Sequence, residues 1–237
     1  MAKIEEHKII NDQGDLDMDE LKHSAQDLFE KNKNVIYGIV MAVVLIAGGL
    51  YWYFVMHKGP QEVAAKEELY KAQQSFDQDS FRVALNGRNV PGQQGNFVGL
   101  LSIIEDYGGT ASGNLAYYYA GVSYLHIGEF DQAIKFLGNY SAEDDASGAM
   151  ALGMIGDAKS EKGDMDGALA SYKEAANYAP KNEAVSPYFL RKAGLLSEKQ
   201  GKPADAKTYY EQIQNDYPEI ATQMAIEKDI IRVSDSY

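Results

Sequence analysis

Residues 115–140 read LAYYYAGVSYLHIGEFDQAIKFLGNY, and two later stretches of the chain repeat their spacing of small residues. In each stretch a glycine is followed seven residues later by a second glycine, and five residues after that by an alanine. The positions are Gly121, Gly128 and Ala133; Gly156, Gly163 and Ala168; and Gly194, Gly201 and Ala206. The second and third stretches close with Pro180 and Pro218. Repetition at this period predicts stacked helical units, each burying its apolar face against the next.

The small residues have separate roles in such a unit. The first glycine lets neighbouring helices approach closely, and the second takes the left-handed conformation needed between antiparallel helices. Tyr124, Tyr172 and Tyr210 supply bulk where the helices cross. This spacing resembles the tetratricopeptide repeat, at about 34 to 38 residues per unit. The resemblance implies an all-α fold in which tetratricopeptide-like repeats form an α-solenoid.

An earlier, degenerate unit is predicted before the three clear ones. Residues 61–76 are expected to form a helix, and residues 97–107 a further helix. Between them GRNVPGQQG, residues 87–95, predicts an irregular loop because Gly, Pro and Asn dominate it. The packing positions of this unit are Tyr70, Ala72, Phe76, Phe81 and Ala84.

Residues 35–56, VIYGIVMAVVLIAGGLYWYFVM, contain no charged side chain. As a helix they would be roughly 33 Å long, enough to cross a hydrocarbon core of about 30 Å. A buried core helix would show a polar stripe, which this segment lacks. A cleaved signal peptide is disfavoured because the leader is acidic and the apolar run continues past Ala47 and Gly49 into aromatic residues typical of the membrane interface. We therefore expect an uncleaved transmembrane helix.

The flanks predict the remaining organisation. Residues 1–34 form an acidic leader, in which about residues 17–33 are an amphipathic helix that contacts either the lipid interface or a partner. His57–Pro60 is expected to break the helix, and residues 60–237 to form the repeat domain. Lysines are balanced on the two sides of the span, so charge leaves its orientation open.

Composition excludes several classes of function. The chain has no Cys, which removes disulfides and cysteine chemistry. Its net charge is −13, and from Pro60 onward 26 acidic side chains face 16 basic ones, which argues against nucleic acid. The four His are scattered, and no phosphate-binding loop or metal motif is found, so no catalytic, metal or cofactor site is predicted. Acidic residues in the turns between helices are expected to be helix caps.

Two surfaces are predicted to bind partners. Gly38, Ala42, Leu45 and Gly49 share one face of the span, where small residues permit close helix packing in lipid. The second surface follows from the resemblance, since the first helix of each tetratricopeptide unit lines a groove. Its expected members are Leu115, Tyr118, Tyr119, Val122, Met150, Met154, Asp157, Tyr188, Arg191 and Leu195. The alternative is that the helix from Gln61 covers this groove.

The order of parts is similar to that of the YfgM-type family of bacterial inner-membrane proteins. NKNVIYGIVMAVVLIAGGLYWYF resembles the anchor of that family, and GNLAYYYAGVSYLHIGEFDQAIKFL its first well-formed repeat. The resemblance implies a single-pass inner-membrane protein with a cytoplasmic amino terminus and a periplasmic repeat domain. It also implies a non-enzymatic ancillary subunit of the SecYEG translocon, near a membrane-anchored prolyl-isomerase-type chaperone and translocating polypeptides. The alternatives are a scaffold for another envelope complex, in division, secretion or outer-membrane assembly, and an enzyme with an unrecognised site.

Overall fold

The computed structural model describes residues 18–89, 91 and 95–235. The chain divides into two compact units, one ending at Gly59 and the other beginning at Pro60. Residues 1–17 of the acidic leader lie outside the described residues, as do the side chains of Leu21, Ala25 and Leu28, which are expected to lie on the apolar face of the predicted amphipathic helix.

The amino-terminal unit is helical from its first described residue. Helix α1 spans Met18–Trp52, and a π-helical segment follows at Tyr53–Lys58. The most apolar 18-residue window of this stretch has a mean hydropathy of 2.2, and none of it is buried. In the part of the chain that the structure describes, this is the one helix long and apolar enough to cross a membrane.

The expected break at His57–Pro60 is wrong. The backbone stays helical, and the Gly59 N–H donates to the carbonyl oxygen of Phe54, five residues earlier. Pro60 is the second residue of the helix that follows, and it has no backbone N–H with which to bond a carbonyl of the preceding turn.

The carboxy-terminal unit is a succession of helical hairpins. Its helices are α2 (Gly59–Phe76), α3 (Phe81–Asn86), α4 (Leu100–Tyr107), α5 (Ala111–His126), α6 (Phe130–Asn139), α7 (Asp145–Glu161), α8 (Met165–Tyr178), α9 (Val185–Lys199), α10 (Pro203–Asp216), α11 (Pro218–Gln223) and α12 (Ile226–Ser234). Helix α5 packs on α6, α7 on α8, and α9 on α10, and each pair packs on the next. This arrangement confirms the predicted all-α repeat fold.

The repeated glycines and alanines lie at the close helix contacts and turns that the sequence predicts for them. A Cβ added to Gly121 would lie 2.5 Å from Cγ of Leu137, and one added to Gly156 would lie 2.6 Å from Cε1 of Tyr172. The second glycines, Gly128, Gly163 and Gly201, have φ of 80°, 85° and 71°. The alanines Ala133, Ala168 and Ala206 are fully buried. Close approach and left-handed turns therefore define the hairpins, as the sequence predicts.

The degenerate first unit is part of the same stack. Ala72 and Ala84 are fully buried in a cluster with Leu69, Leu100 and Ile103. Tyr70 differs from expectation, because it is 62% exposed.

A carboxylate joins helix α2 to the start of helix α5. The Glu62 side chain accepts from the Ala111 N–H at 2.7 Å, the Ser112 N–H at 3.1 Å and the Ser112 hydroxyl at 2.5 Å. The first amide groups of a helix have no partner within the helix, and an anion at that end is favoured by the helix dipole. Glu62 therefore acts as a cap supplied from 49 to 50 residues away.

The insertion at residues 87–95 is not wholly irregular. Gly87–Arg88 pairs antiparallel with Phe97–Val98, forming strands β1 and β2, while residues 90 and 92–94 lie outside the described residues. The helix expected from residue 97 consequently begins at Leu100. Gly87 has φ of 78°, and a Cβ at Gly99 would collide with the carbonyl oxygen of Leu85, so both glycines are required by this pairing.

Two of the acidic residues in the turns are helix caps, as predicted, whereas Glu129 at the start of α6 makes no side-chain capping bond. Asp144 accepts from the Ser147 N–H at 2.8 Å at the start of α7, and Asp164 accepts from the Gly167 N–H at 3.0 Å at the start of α8. The bond from Ser147 lowers the pKa of Asp144 below its usual range. Asp144 thus begins the next hairpin where the other units have a proline.

Candidate functional site

A cleft of about 640 Å³ opens between the last turn of α5 and helices α7, α8 and α9. Leu125 and His126 come from α5, Asp157 and Glu161 from α7, Tyr172 from α8 and Lys192 from α9. The repeat geometry itself brings these groups together. Because Gly156 lets the Tyr172 ring lie against α7, the hydroxyl of Tyr172 reaches Asp157, the next residue along that helix.

Asp157 is the polar centre of the cleft. Its Oδ1 accepts from the Tyr172 hydroxyl at 2.6 Å and from Lys192 Nζ at 2.5 Å. The Lys192 ammonium also lies 5.2 Å from the ring centroid of Tyr172 and 5.4 Å from that of Tyr188. One cation is thus held by a carboxylate and two aromatic faces, an arrangement that adds cation–π attraction to an ion pair.

Tyr172 is a fixed hydrogen-bond donor in this cluster. Burial raises the pKa of its hydroxyl far above the usual value, and the bond to Asp157 raises it further. The phenol therefore stays protonated at physiological pH, and its role is to orient Asp157.

The rim of the cleft carries one more carboxylate and a stacked imidazole. Glu161 is exposed, one helical turn beyond Asp157. The His126 ring stacks on Phe81 with 4.3 Å between centroids and an interplanar angle of 5°. Among the residues that the structure describes, no group of three or more His, Asp or Glu side chains is placed to hold a metal ion.

The predicted groove residues have different environments. Val122 is only 5% exposed and belongs to a small core cluster with Leu137 and Ala151, so its expected place on an open surface is wrong. The Leu137 side chain of the returning helix closes over this position because Gly121 lets it approach. Tyr118 and Met154 pack against the same cluster and are half-buried.

Other members of the predicted groove contact neighbouring helices. Leu115 and Tyr119 pack against the core of the first unit, where the rings of Tyr119 and Phe76 are 5.0 Å apart. Phe76 is the last residue of α2, the helix considered as a cover for the groove. Met150 packs against the carboxy-terminal core.

At the carboxy-terminal end, α12 rather than α2 occupies part of the predicted surface. Arg191 Nε donates to Asp229 Oδ2 at 3.0 Å, and Asp229 is 4% exposed. Tyr188 and Leu195 on the same helix are 44% and 45% exposed. These two are the most exposed residues of the predicted groove.

The predicted face of the span is accessible within its unit. Gly38, Ala42, Leu45 and Gly49 are all exposed, and a Cβ at Gly38 or Gly49 would meet nothing within 4 Å. A role in partner contact stays a prediction for this face.

Lys192, Glu161 and His126 were not predicted as site residues. Lys192 could have been found, because it lies 35 residues after Asp157, close to one repeat period, and carries the opposite charge. His126 and Glu161 lie in the last turn of the first helix of their units, and no pattern of charge or spacing marks them.

Comparison with known proteins identifies the repeat class. A family model described as tetratricopeptide repeat matches residues 115–144 and 188–219, which correspond to the hairpins α5–α6 and α9–α10. A comparison with curated proteins finds no match. The middle hairpin, α7–α8, has the same glycine and alanine geometry as its neighbours. The chain therefore carries tetratricopeptide repeats, which indicate a scaffold for protein–protein interaction.

Proposed function

We propose that the chain is a membrane-anchored adaptor and an ancillary, non-enzymatic subunit of the SecYEG translocon. Its repeat unit would hold a membrane-anchored periplasmic chaperone of the prolyl-isomerase type, or a translocating polypeptide. The observation that carries the proposal is the joining of a tetratricopeptide scaffold to one exposed apolar helix in a single chain. The resemblance of residues 32–54 to a known translocon-associated anchor supports this assignment. Tetratricopeptide proteins are generally non-enzymatic scaffolds, which supports a binding function.

In this proposal residues 35–56 span the bacterial inner membrane. Residues 1–34 lie in the cytoplasm and residues 60–237 in the periplasm. Protease added to spheroplasts should then degrade the repeat unit and leave the leader and span protected, as fragments detected by antibodies against each end. A repeat unit that survives in intact spheroplasts but is degraded after lysis would contradict the orientation and the translocon assignment.

The span is proposed to contact the channel through Gly38, Ala42 and Gly49, because close helix approach in lipid depends on small residues. Gly38→Ile combined with Gly49→Ile should strongly reduce the recovery of SecY after affinity purification in mild detergent. Ala47→Ile is the matched control, since nine residues from Gly38 place it about 180° around the helix. Membrane insertion and the helical content of the repeat unit should be unchanged in all variants.

The proteins recovered with the wild-type chain decide between the two scaffold hypotheses. SecY together with a prolyl isomerase, identified by mass spectrometry, supports the translocon adaptor. Recovery of division, secretion or outer-membrane assembly components without SecY would refute it in favour of a scaffold for that machinery.

A further inference from the structure

The cleft between α5, α7, α8 and α9 has an apolar side and an acidic side. Leu125 and Phe130 contribute apolar surface, and the ring of Tyr172 continues it. Asp157 and Glu161 face the same space from one helix. A volume of about 640 Å³ is enough for a short polypeptide segment with more than one side chain.

The carboxylates of the cleft are only partly neutralised. Both bonds to Asp157 are made to Oδ1, and within residues 18–89, 91 and 95–235 its Oδ2 has no hydrogen-bond partner. Glu161 has neither an ion pair nor a side-chain hydrogen bond within the same residues. Asp157 and Glu161 line the cleft with two negative charges, and Lys192 adds one positive charge. The formal charge of the cleft is therefore negative.

The neighbouring lysines of this region are held elsewhere. Lys159 Nζ donates to the Ser171 hydroxyl at 2.9 Å, and Lys162 pairs with Asp131 on α6. Neither of them lines the cleft, so neither adds a second cation to its lining.

Lys192 shows which chemistry this site accepts. Its ammonium is held by a carboxylate while the two tyrosine rings flank it, and the same groups would accept a lysine or arginine from another chain. The excess of acidic side chains from Pro60 onward, 26 against 16, attracts a basic segment over a longer distance.

We propose that this cleft binds an extended polypeptide segment in which a basic side chain adjoins an apolar one. The basic group pairs with Glu161 and Asp157 Oδ2, and the apolar group packs on Leu125 and Phe130. The inference rests on the proposed adaptor function and names the chemistry of the segment that the repeat unit holds.

Fluorescence polarisation tests this with the full chain in nanodiscs of zwitterionic lipid, and empty nanodiscs as background. The probe is a labelled ten-residue Gly–Ser peptide carrying two Lys–Leu pairs. Two further peptides replace Lys by Glu, or Leu by Ser. The Lys–Leu peptide should bind about tenfold more tightly than either control peptide. The Glu–Leu peptide loses the ion pair, and the peptide with Ser in place of Leu loses the apolar contact. Equal affinity for the Lys–Leu and Glu–Leu peptides would overturn the proposal.

Three variants separate the cleft from the overall charge of the chain. Glu161→Gln should weaken binding of the Lys–Leu peptide several-fold, whereas Glu219→Gln, the same change on α11 outside the cleft, should leave it unchanged. Lys192→Met should strengthen binding, because it removes the cation that pairs with Asp157 and leaves that carboxylate to the incoming basic group. Thermal unfolding of each variant checks that the fold is retained. Equal losses in Glu161→Gln and Glu219→Gln would reduce the effect to long-range attraction and refute a site in the cleft.

Recovery of SecY distinguishes this inference from the adaptor proposal. Glu161→Gln should retain SecY in full, because the proposed channel contact lies on α1. Retained SecY with no preference for the Lys–Leu peptide would overturn the cleft inference alone. Absence of SecY from the wild-type chain would overturn the adaptor proposal, on which the inference rests.

Discussion

Gly194→Leu should lower the free energy of unfolding of the repeat unit by about 3 kcal/mol, the upper part of the usual range for overpacking. A Cβ at this position would lie 2.7 Å from Cζ of Tyr210, whose side chain is fully buried. The larger leucine must therefore separate α9 from α10 or displace the tyrosine. Thermal unfolding of the full chain in detergent, followed by circular dichroism, measures the loss.

Gly138→Ala is the matched control for this change. Gly138 also lies in a helix, α6, but a Cβ there would meet nothing within 4 Å. Alanine favours helix over glycine by roughly 1 kcal/mol, so this variant should equal or exceed the wild type in stability. If Gly194→Leu were as stable as Gly138→Ala, the crossing of α9 and α10 at Gly194 would be refuted.

Glu198→Ala should destabilise the carboxy-terminal end by about 2 to 4 kcal/mol, because it removes an acceptor from charged and buried donors at once. Glu198 accepts from the Tyr210 hydroxyl at 2.5 Å, and from Arg232 at 2.8 and 3.0 Å. The change leaves a phenol without a partner in the core and removes one attachment of α12. Tyr210→Phe in the Glu198→Ala background should recover part of the loss, since it deletes the stranded hydroxyl.

The same contacts predict a dependence on pH. The bond from Arg232 lowers the pKa of Glu198 below its ordinary value of 4.5; burial opposes this effect, and the bond from Tyr210 adds to it. A carboxyl group with a depressed folded-state pKa contributes stability above the unfolded value and loses it as pH falls through the folded value. Stability should therefore fall below about pH 4.5 more steeply in the wild type than in Glu198→Gln. Identical acid profiles for the two proteins would contradict this role.

The repeat fold was predictable because its signals are local in sequence. Gly121, Gly156 and Gly194 each mark a place where two helices of a hairpin pack closely, and the glycines seven residues later each mark the turn between those helices. These backbone requirements hold whatever surrounds them, so a single sequence reveals them. The capping roles of Asp144 and Asp164 are local in the same way.

The features that were missed depend on contacts distant in sequence or too short to show a period. Strands of two residues, such as Phe97–Val98, have no alternation that could be detected. Arg191 was assigned to an open groove, but Asp229 pairs with it from a helix 38 residues further along, which the repeat register does not describe. Val122 follows the expected register, yet Leu137 of the returning helix buries it.

The hydrogen bonds from Ala111 and Ser112 to Glu62 affect the order in which the chain folds during synthesis. A polypeptide is made from its amino end, so α2 exists before Ala111 and Ser112 are synthesised. The caps at Asp144 and Asp164, by contrast, find their partners three residues away and are complete at once. Contacts that close long loops form late because their entropic cost comes first. The degenerate first repeat therefore reaches its final form only after synthesis of the next repeat has begun at α5. In a nascent chain that ends before Ala111, the carboxylate of Glu62 stays in water.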